Sequence, residues 1–472
     1  MMSASPTIAA LATAPTAGAV GILRLSGPAA LDVGRLLAPG VPVEPTPRHA
    51  YLATFVDAQG RALDEGLFLY FRAPYSFTGE DVVELQAHGS PRLLSLLLAR
   101  ALEDERVRPA TPGEFTRRAF LSGRLDLTRA EAVADLVAAD SEAAVRAAAA
   151  GLSGVLASRV RALEEPLREL HADLEGVLNF PDEAEGADAE AGARVTVLRA
   201  QAEALLSEAG RGRLVRRGAR VALYGPVNAG KSTLFNRLVG EARALVDDEP
   251  GTTRDSLEAR VEWDGLGVTL FDTAGLREAP GRVEALGIAR TRELLAGVDL
   301  SVLVLPPGAT DTEAETWLRE AGGTRVLAVD GKCDVADARG RDGAHAVSQR
   351  AFTEAQPDST VARASPGVTS RSRPRVSGLT GEGVEALRAS MLGHLWGGGT
   401  PSAVALVSER HADALRRAAE ALARASAASH ASTLEVVSGE VGLALEALGE
   451  VSGTSVSEAL LDAIFQRFCI GK

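Results

Sequence analysis

The octapeptide Gly225-Pro-Val-Asn-Ala-Gly-Lys-Ser232 constrains the fold more than any other stretch of the chain. It fits the pattern GxxxxGK[ST], and both flanks suit it. Arg220–Tyr224 reads as a short buried strand, and Thr233–Val239 puts Leu234, Phe235, Leu238 and Val239 on one apolar helical face. A strand that turns through a glycine-rich loop into a helix belongs to a layered α/β domain, with strands and helices alternating around a parallel sheet. In such a turn Gly225 and Gly230 let backbone N–H groups point at a phosphate, Lys231 reaches the β/γ oxygens and the Ser232 hydroxyl holds Mg²⁺. Gly225, Asn228, Ala229, Gly230, Lys231, Ser232 and Thr233 are therefore expected to cradle a nucleotide.

Two downstream motifs point to the γ-phosphate. Gly251, Thr252 and Thr253, leading into Arg254-Asp255, offer a threonine hydroxyl to Mg²⁺ and the γ-phosphate, as a first switch would. Leu257–Trp263 and Val268–Phe271 read as a hairpin turned at Asp264-Gly265 and ending in Asp272-Thr273-Ala274-Gly275. There Asp272 can bind Mg²⁺ through water and Gly275 can offer its N–H, as a second switch would.

The base-reading elements depart from the usual pattern. After the apolar strand Val326–Val329 comes Gly331-Lys332-Cys333-Asp334, where a GTPase carries NKxD. Asp334 can accept from guanine N1 and N2 and the Lys332 stem can pack on the base, but the asparagine contact is missing. Restoring asparagine at 331 is expected to tighten GTP binding. Ser377-Gly378 precedes Leu-Thr-Gly-Glu-Gly383 as an altered second base loop. Guanine is favoured over adenine because GTTRD, DTAG and KxD occur together. Between these loops, residues 335–375 hold seven arginines and five serines, a composition not expected to pack a core.

Composition bounds the rest. At 472 residues the chain exceeds a single core. The expected layout is an α+β domain over 1–125, a helical segment over 126–216, the α/β nucleotide domain over 217–396 and a second helical segment over 397–472. The two helical segments are expected to pack as one all-α domain with the nucleotide domain inserted. A net charge of −13 argues against a broad electrostatic grip on nucleic acid. The two cysteines, Cys333 and Cys469, are far apart and suit a reduced, cytoplasmic compartment. No apolar run approaches the ~18 residues of a membrane span, and the N-terminus lacks the pattern of a secretory signal.

Four separated blocks carry a resemblance over essentially the full length: Gly21-Ile-Leu-Arg-Leu-Ser-Gly27; Ser76-Phe-Thr-Gly-Glu-Asp-Val-Val-Glu-Leu85; Pro112-Gly-Glu-Phe115 leading to Leu125-Asp-Leu127; and Phe468-Cys-Ile-Gly-Lys472. The chain resembles the MnmE (TrmE) family of tRNA modification GTPases. The resemblance implies an N-terminal folate-binding and dimerisation domain, an all-α helical domain and an inserted Ras-like P-loop domain. It implies a homodimer that works with the FAD-containing protein MnmG on C5 of wobble uridine in tRNA. The implied one-carbon donor is 5-formyl- or methylene-tetrahydrofolate.

Carried over by position, the folate-binding residues are Arg24, Glu84, Arg124 and Lys472; a pterin edge needs a carboxylate beside donors, and the folate glutamate tail needs cations. Arg124 stands where a lysine is common. Cys469 would sit at the modification site. Leu276 comes after Asp272–Gly275 where Ras-like enzymes place a water-orienting glutamine. The resemblance implies instead a K⁺ ion held by Asn228 and by the segment with Asp247, Glu249 and Thr252, and a water-positioning Glu284. An alternative class, a ribosome-assembly GTPase acting as an RNA-binding switch, would call for a basic RNA-binding appendage, and the C-terminal helices supply none. A decayed scaffold, suggested by Gly331, is opposed by intact Lys231, Ser232, Thr253 and Asp272.

Overall fold

The computed structural model describes residues 6–180, 190–240, 243–244, 258–273, 292–320, 325–338, 373–396, 408–430 and 434–471. The chain divides into two compact units: Met1–Val137 with Gly151–Leu205 and Asp413–Lys472, and Ala138–Ala150 with Leu206–Ala412.

The first unit begins with six strands, β1 (Thr7–Leu11), β2 (Gly18–Ser26), β3 (Ala50–Val56), β4 (Ala62–Phe71), β5 (Val82–Gly89) and β6 (Val107–Pro109). They form one sheet in the order β3-β4-β5-β2-β1-β6. All neighbours are antiparallel except β1 and β6. Because strand side chains alternate between faces, Leu23, Leu25, Val83, Leu85 and Phe68 share one buried cluster with Val33 and Leu37 of α1 (Ala30–Leu37) and Leu94 and Leu97 of α2 (Pro91–Ala101). Helix α2 starts where Ser90 accepts the Leu93 N–H and proline occupies the first turn. The same alternation turns Arg24 and Glu84, cross-strand partners, to the opposite face. There Phe115, the second residue of α3 (Glu114–Leu121), packs with Ile8, Ala10 and Ala110.

The helices of this unit follow a 3.6-residue stripe. In α6 (Val155–Asn179) Leu156, Val160, Leu163, Leu167, Leu170 and Leu174 are buried, and α6 packs along the helix Leu434–Ser452. Two serine-to-carboxylate bonds staple that pair: Ser438 Oγ to Glu175 Oε1 at 2.6 Å and Ser452 Oγ to Glu164 Oε1 at 2.8 Å. Leu127 and Ala130 of α4 (Leu127–Ala138) cluster with Leu461, Ile464, Phe465 and Phe468. This places the last helix, Glu458–Phe465, beside the first of the helical segment.

The second unit holds β7 (Ala219–Tyr224), β8 (Arg243–Ala244), β9 (Glu258–Trp263), β10 (Leu266–Asp272), β11 (Leu300–Leu305) and β12 (Val326–Asp330) in the order β12-β11-β7-β10-β9-β8. The four strands from β12 to β10 are parallel, and β9 and β8 are antiparallel additions. Every residue of β10 and β11 is buried, as sheet strands covered on both faces should be. The β9–β10 turn has positive φ at both central residues, 49° at Asp264 and 84° at Gly265, the twist that suits a two-residue hairpin. Helix α5 (Glu142–Leu152) packs with this unit. Its Ala143 N–H donates to the Gly265 carbonyl at 2.9 Å, and Asp140 pairs with Arg260 at 2.5 Å.

Contrary to the expectation from composition, the end of the Arg- and Ser-rich stretch is packed: Arg373 is buried, and residues 374–376 pair with the end of β12. Residues 339–372 of that stretch, the acidic break at 181–186 and the glycine-rich linker at 397–401 lie outside the described residues.

Candidate functional site

The phosphate loop runs from the end of β7, the strand that follows helix α7 (Ala191–Arg217), into α8 (Lys231–Gly240). Gly225 has φ 137° and Gly230 φ 101°, conformations that side chains oppose. A Cβ at 225 would also sit 2.3 Å from the Val304 carbonyl of β11. Asn228 is left-handed at φ 61° and exposed, a conformation asparagine tolerates better than most residues. Lys231 is buried, and its ammonium donates to the carbonyls of Gly225 and Pro226 at 3.0 and 2.8 Å. Ser232 and Thr233 are exposed at the first turn of α8, where the helix N-terminus favours anions. Asp272 ends β10 and is buried. Thr273 is fastened to β7 by both its N–H and its hydroxyl, each donating to the Leu223 carbonyl. The parallel register of β7 and β10 sets Asp272 opposite Leu223, so phosphate loop and acidic strand end lie side by side at the carboxyl edge of the sheet.

The base loop lies against the phosphate loop. Lys332, at φ 53°, lays its stem over Gly230, with Cγ 3.3 Å from where a Cβ there would stand. Ser377 Oγ donates to Asp334 Oδ1 at 2.6 Å. Gly378 touches the backbone of α8, with Leu234 N 2.6 Å from its virtual Cβ. Cys333 is buried; burial, with the Glu382 carboxylate beside it, pushes its thiol up to about 11. Burial also raises the Asp330 carboxyl above its usual range although the Arg373 guanidinium opposes it.

The N-terminal sheet carries a second polar site, on the face away from α1 and α2. Arg24 Nε and Nη2 hold Glu84 Oε1 at 2.9 and 2.8 Å. The guanidinium stands over the Phe115 ring at 5.7 Å, a cation–π contact, and donates to the Gly471 carbonyl at 3.3 Å. The C-terminal tail thus crosses this face; the Cys469 carbonyl accepts from Gly113 N–H at 3.5 Å, and the Cys469 thiol is exposed. Arg124 is exposed with its stem beside Gly79.

Beneath lies an ion network. Arg118, 9 % exposed, pairs with Glu80 at 2.8 Å and Glu114 at 3.0 Å. Glu80 also accepts from Ser26 Oγ at 2.7 Å, and Arg108 pairs with Glu114 at 2.6 Å. Burial alone would raise the Glu114 carboxyl, but Arg108, the Thr111 N–H and Arg118 outweigh it and hold it at about 2.

Comparison with known proteins reaches the same elements. The family described as MnmE helical domain matches residues 127–469, and that described as GTP-binding protein TrmE N-terminus matches residues 7–124. The tRNA modification GTPase MnmE of Myxococcus xanthus is 80 % identical over 472 residues, covering all of both chains. The chain belongs to the MnmE family of tRNA modification GTPases. MnmE proteins of Alkalilimnicola ehrlichii and Azoarcus sp. are 43 % and 42 % identical, over 99 % and 98 % of this chain and 100 % and 98 % of their own.

Of the site residues expected from the sequence, the structure brings Arg24 and Glu84 together and lays the tail across them. It likewise brings together Gly225, Asn228, Ala229, Gly230, Lys231, Ser232, Thr233, Asp272, Thr273 and Lys332 at the phosphate loop, with Asp334 and Ser377 beside them. Lys472, Asp247, Glu249, Gly251, Thr252, Thr253, Ala274, Gly275 and Glu284 lie outside the described residues. Sequence reasoning assigned no role to Glu80, Glu114, Phe115, Arg118 or Arg373. The first three sit inside the MnmE blocks, a usable signal. Arg373 had none, being one arginine among seven.

Proposed function

We propose that this chain hydrolyses GTP and, with MnmG, modifies C5 of the wobble uridine of tRNA from a folate one-carbon donor. The observation that carries the folate part is the Arg24–Glu84 pair with Gly471 on it. A half-buried carboxylate beside guanidinium donors matches the donor–acceptor edge of a pterin, and the C-terminal tail brings Cys469 to the same domain face. Arg124 and Lys472 supply cations for the glutamate tail of 5-formyl- or methylene-tetrahydrofolate.

At the nucleotide domain, Ser232, Thr253 and Asp272 are the Mg²⁺ residues of this reading. The exposed hydroxyl at the helix start and the carboxylate closing the adjacent strand are donors suited to a hard cation. Asn228, with Asp247, Glu249 and Thr252, is assigned to K⁺, whose charge would offset that developing on the phosphoryl oxygens. Glu284 orients water, and Lys332, Asp334 and Ser377 read guanine. The proposed domains are 1–125 for folate and dimerisation, 126–216 and 397–472 for the helical domain, and 217–396 for GTP hydrolysis. A homodimer in the cytoplasm completes the reading; no helix among the described residues is long and apolar enough to cross a membrane.

Hydrolysis of GTP and ATP in K⁺ and in Na⁺ tests the nucleotide part. GTP-selective hydrolysis activated by K⁺ supports it, and equal rates in both salts sink the ion assignment. Calorimetry with 5-formyl-tetrahydrofolate on the wild type, Arg24→Ala and Glu84→Gln tests the other part. Binding retained by both variants removes the folate site from this face.

A further inference from the structure

We infer that Arg373 and Gly331 together position the guanine-reading loop of this chain, by a route that replaces the asparagine of the family pattern at 331. Gly331 comes directly after the last residue of β12. Its N–H donates to the Leu305 carbonyl at 2.7 Å, and a Cβ on it would lie 2.5 Å from the Ala229 carbonyl and 2.9 Å from Val304 Cγ1. The base loop therefore touches the phosphate loop backbone to backbone, at a separation that only glycine permits.

Arg373 holds that approach from the other side. Its side chain is 2 % exposed, and its fork reaches three acceptors: Nε to Asp330 Oδ1, Nη1 to Asp311 Oδ1 and Nη2 to the Ala309 carbonyl, each at 2.9 Å. Asp330 is the residue before Gly331. Ala309 and Asp311 flank the start of the helix Asp311–Glu320, in the connection after β11. The backbone repeats the link, with Asp330 N–H on the Pro374 carbonyl and Val376 N–H on the Asp330 carbonyl, both at 2.9 Å, and Cys333 N–H on the Val376 carbonyl at 3.2 Å. Segment 373–377 thereby fixes the start of the base loop through Arg373 and its end through Ser377 on Asp334. A planar guanidinium reaches these three acceptors from three separate nitrogens held in one rigid plane, a spread that the compact ammonium of a lysine does not reproduce although it too has three donors. Arg373 is a positioning residue; Asp334 is the group facing the base.

The inference rests on the reading that Asp334 accepts from guanine N1 and N2, and the test separates the two. Inosine triphosphate lacks only the 2-amino group, so the ratio of GTP to ITP affinity reports where the Asp334 carboxylate stands. A lower folded fraction scales both affinities alike and leaves the ratio unchanged. Arg373→Gln and Arg373→Lys are expected to lower the ratio about tenfold, the loss of one hydrogen bond to a charged group, while a surface control, Arg416→Gln, leaves it intact. Gly331→Asn is expected to weaken GTP binding, against the sequence-based expectation, because its Cβ meets the Ala229 carbonyl. An unchanged ratio in Arg373→Gln overturns the positioning role; should that chain fail to fold, an unchanged ratio in Asp311→Asn does so. If Asp334→Ala itself keeps the ratio, the base-reading assignment fails instead. Tighter GTP binding by Gly331→Asn overturns the role given to the glycine.

Discussion

Ser377 and Asp334 are joined side chain to side chain, the serine hydroxyl donating at 2.6 Å to a carboxylate 43 residues earlier. The Ser377 oxygen also receives the Thr380 N–H at 3.1 Å, and Ser377 is fully buried. The turn after 377 therefore sets the direction of the carboxylate. Removing a hydrogen bond to a charged group costs about 1.5–3 kcal/mol, so Ser377→Ala is expected to weaken GTP binding roughly ten- to a hundredfold and leave ATP binding unchanged. Titration with fluorescent nucleotide analogues checks this; equal losses for both nucleotides would mean that the loop has collapsed.

Glu114 gives the N-terminal domain an acid dependence. Its carboxyl is held at about 2 in the fold, against an ordinary value of 4.5. A depressed carboxylate contributes stability above its unfolded value and loses that contribution as pH falls toward the folded one. The stabilisation is thus complete above about pH 5 and fades between that point and about pH 2. A shift of this size corresponds to about 3 kcal/mol as an upper figure. Glu114→Gln is expected to lower the melting temperature at pH 7 and to flatten its decline between pH 5 and pH 2. Parallel declines in the two proteins would show that Glu114 is not the titrating group.

Gly113 has φ 68°, and a Cβ there would lie 2.4 Å from the Phe465 carbonyl. Gly113→Ala must displace the end of the last helix or strain the loop. Hydrogen exchange over residues 466–471 should quicken and folate binding should weaken, while GTP hydrolysis stays at the wild-type rate. Unchanged exchange in the tail would show that the loop absorbs the methyl group locally.

The two proposed chemistries should separate by mutation. Cys469 presents an exposed thiol and has no part in phosphate transfer, so Cys469→Ser is expected to abolish tRNA modification and spare GTP hydrolysis. Glu284→Ala should slow hydrolysis first and reduce modification only as a consequence. Both activities are measured for both variants with MnmG, tRNA and folate present. Full modification by the Cys469 variant removes the thiol from the mechanism.

The strands and loops around the phosphate loop are the most legible part of the chain. The phosphate loop announces itself through glycines at fixed offsets between an apolar strand and an apolar helical face, and the Asp264-Gly265 turn through its residue types. Strands β1 and β3 leave no such mark: Thr7–Leu11 is a short run without alternation, and Ala50–Val56, at the sheet edge, has only partial alternation. The position of Arg24 beside Glu84 comes from pairing β2 with β5, a register fixed by packing against α1 and α2 rather than by local pattern. Arg373 is hidden by composition. A charge among many reads as solvated unless its partners are known, and Asp311 and Asp330 lie 62 and 43 residues away.

The bond from Arg24 to the Gly471 carbonyl spans 447 residues, and this has a bearing on biosynthesis. On the ribosome the first sheet can form and bury Leu23, Leu25 and Phe68 long before residue 471 is made, since N-terminal domains fold as units during synthesis. The polar face of that sheet then waits, with Arg24 and Glu84 facing water, until the tail arrives. Closing so long a loop is not prohibitive, because the entropic cost grows only as the logarithm of its length, and folding of the intervening nucleotide domain shortens it. Completion of this face therefore waits on residue 471, so a nascent chain would carry a nucleotide-binding domain before it carried a finished N-terminal site.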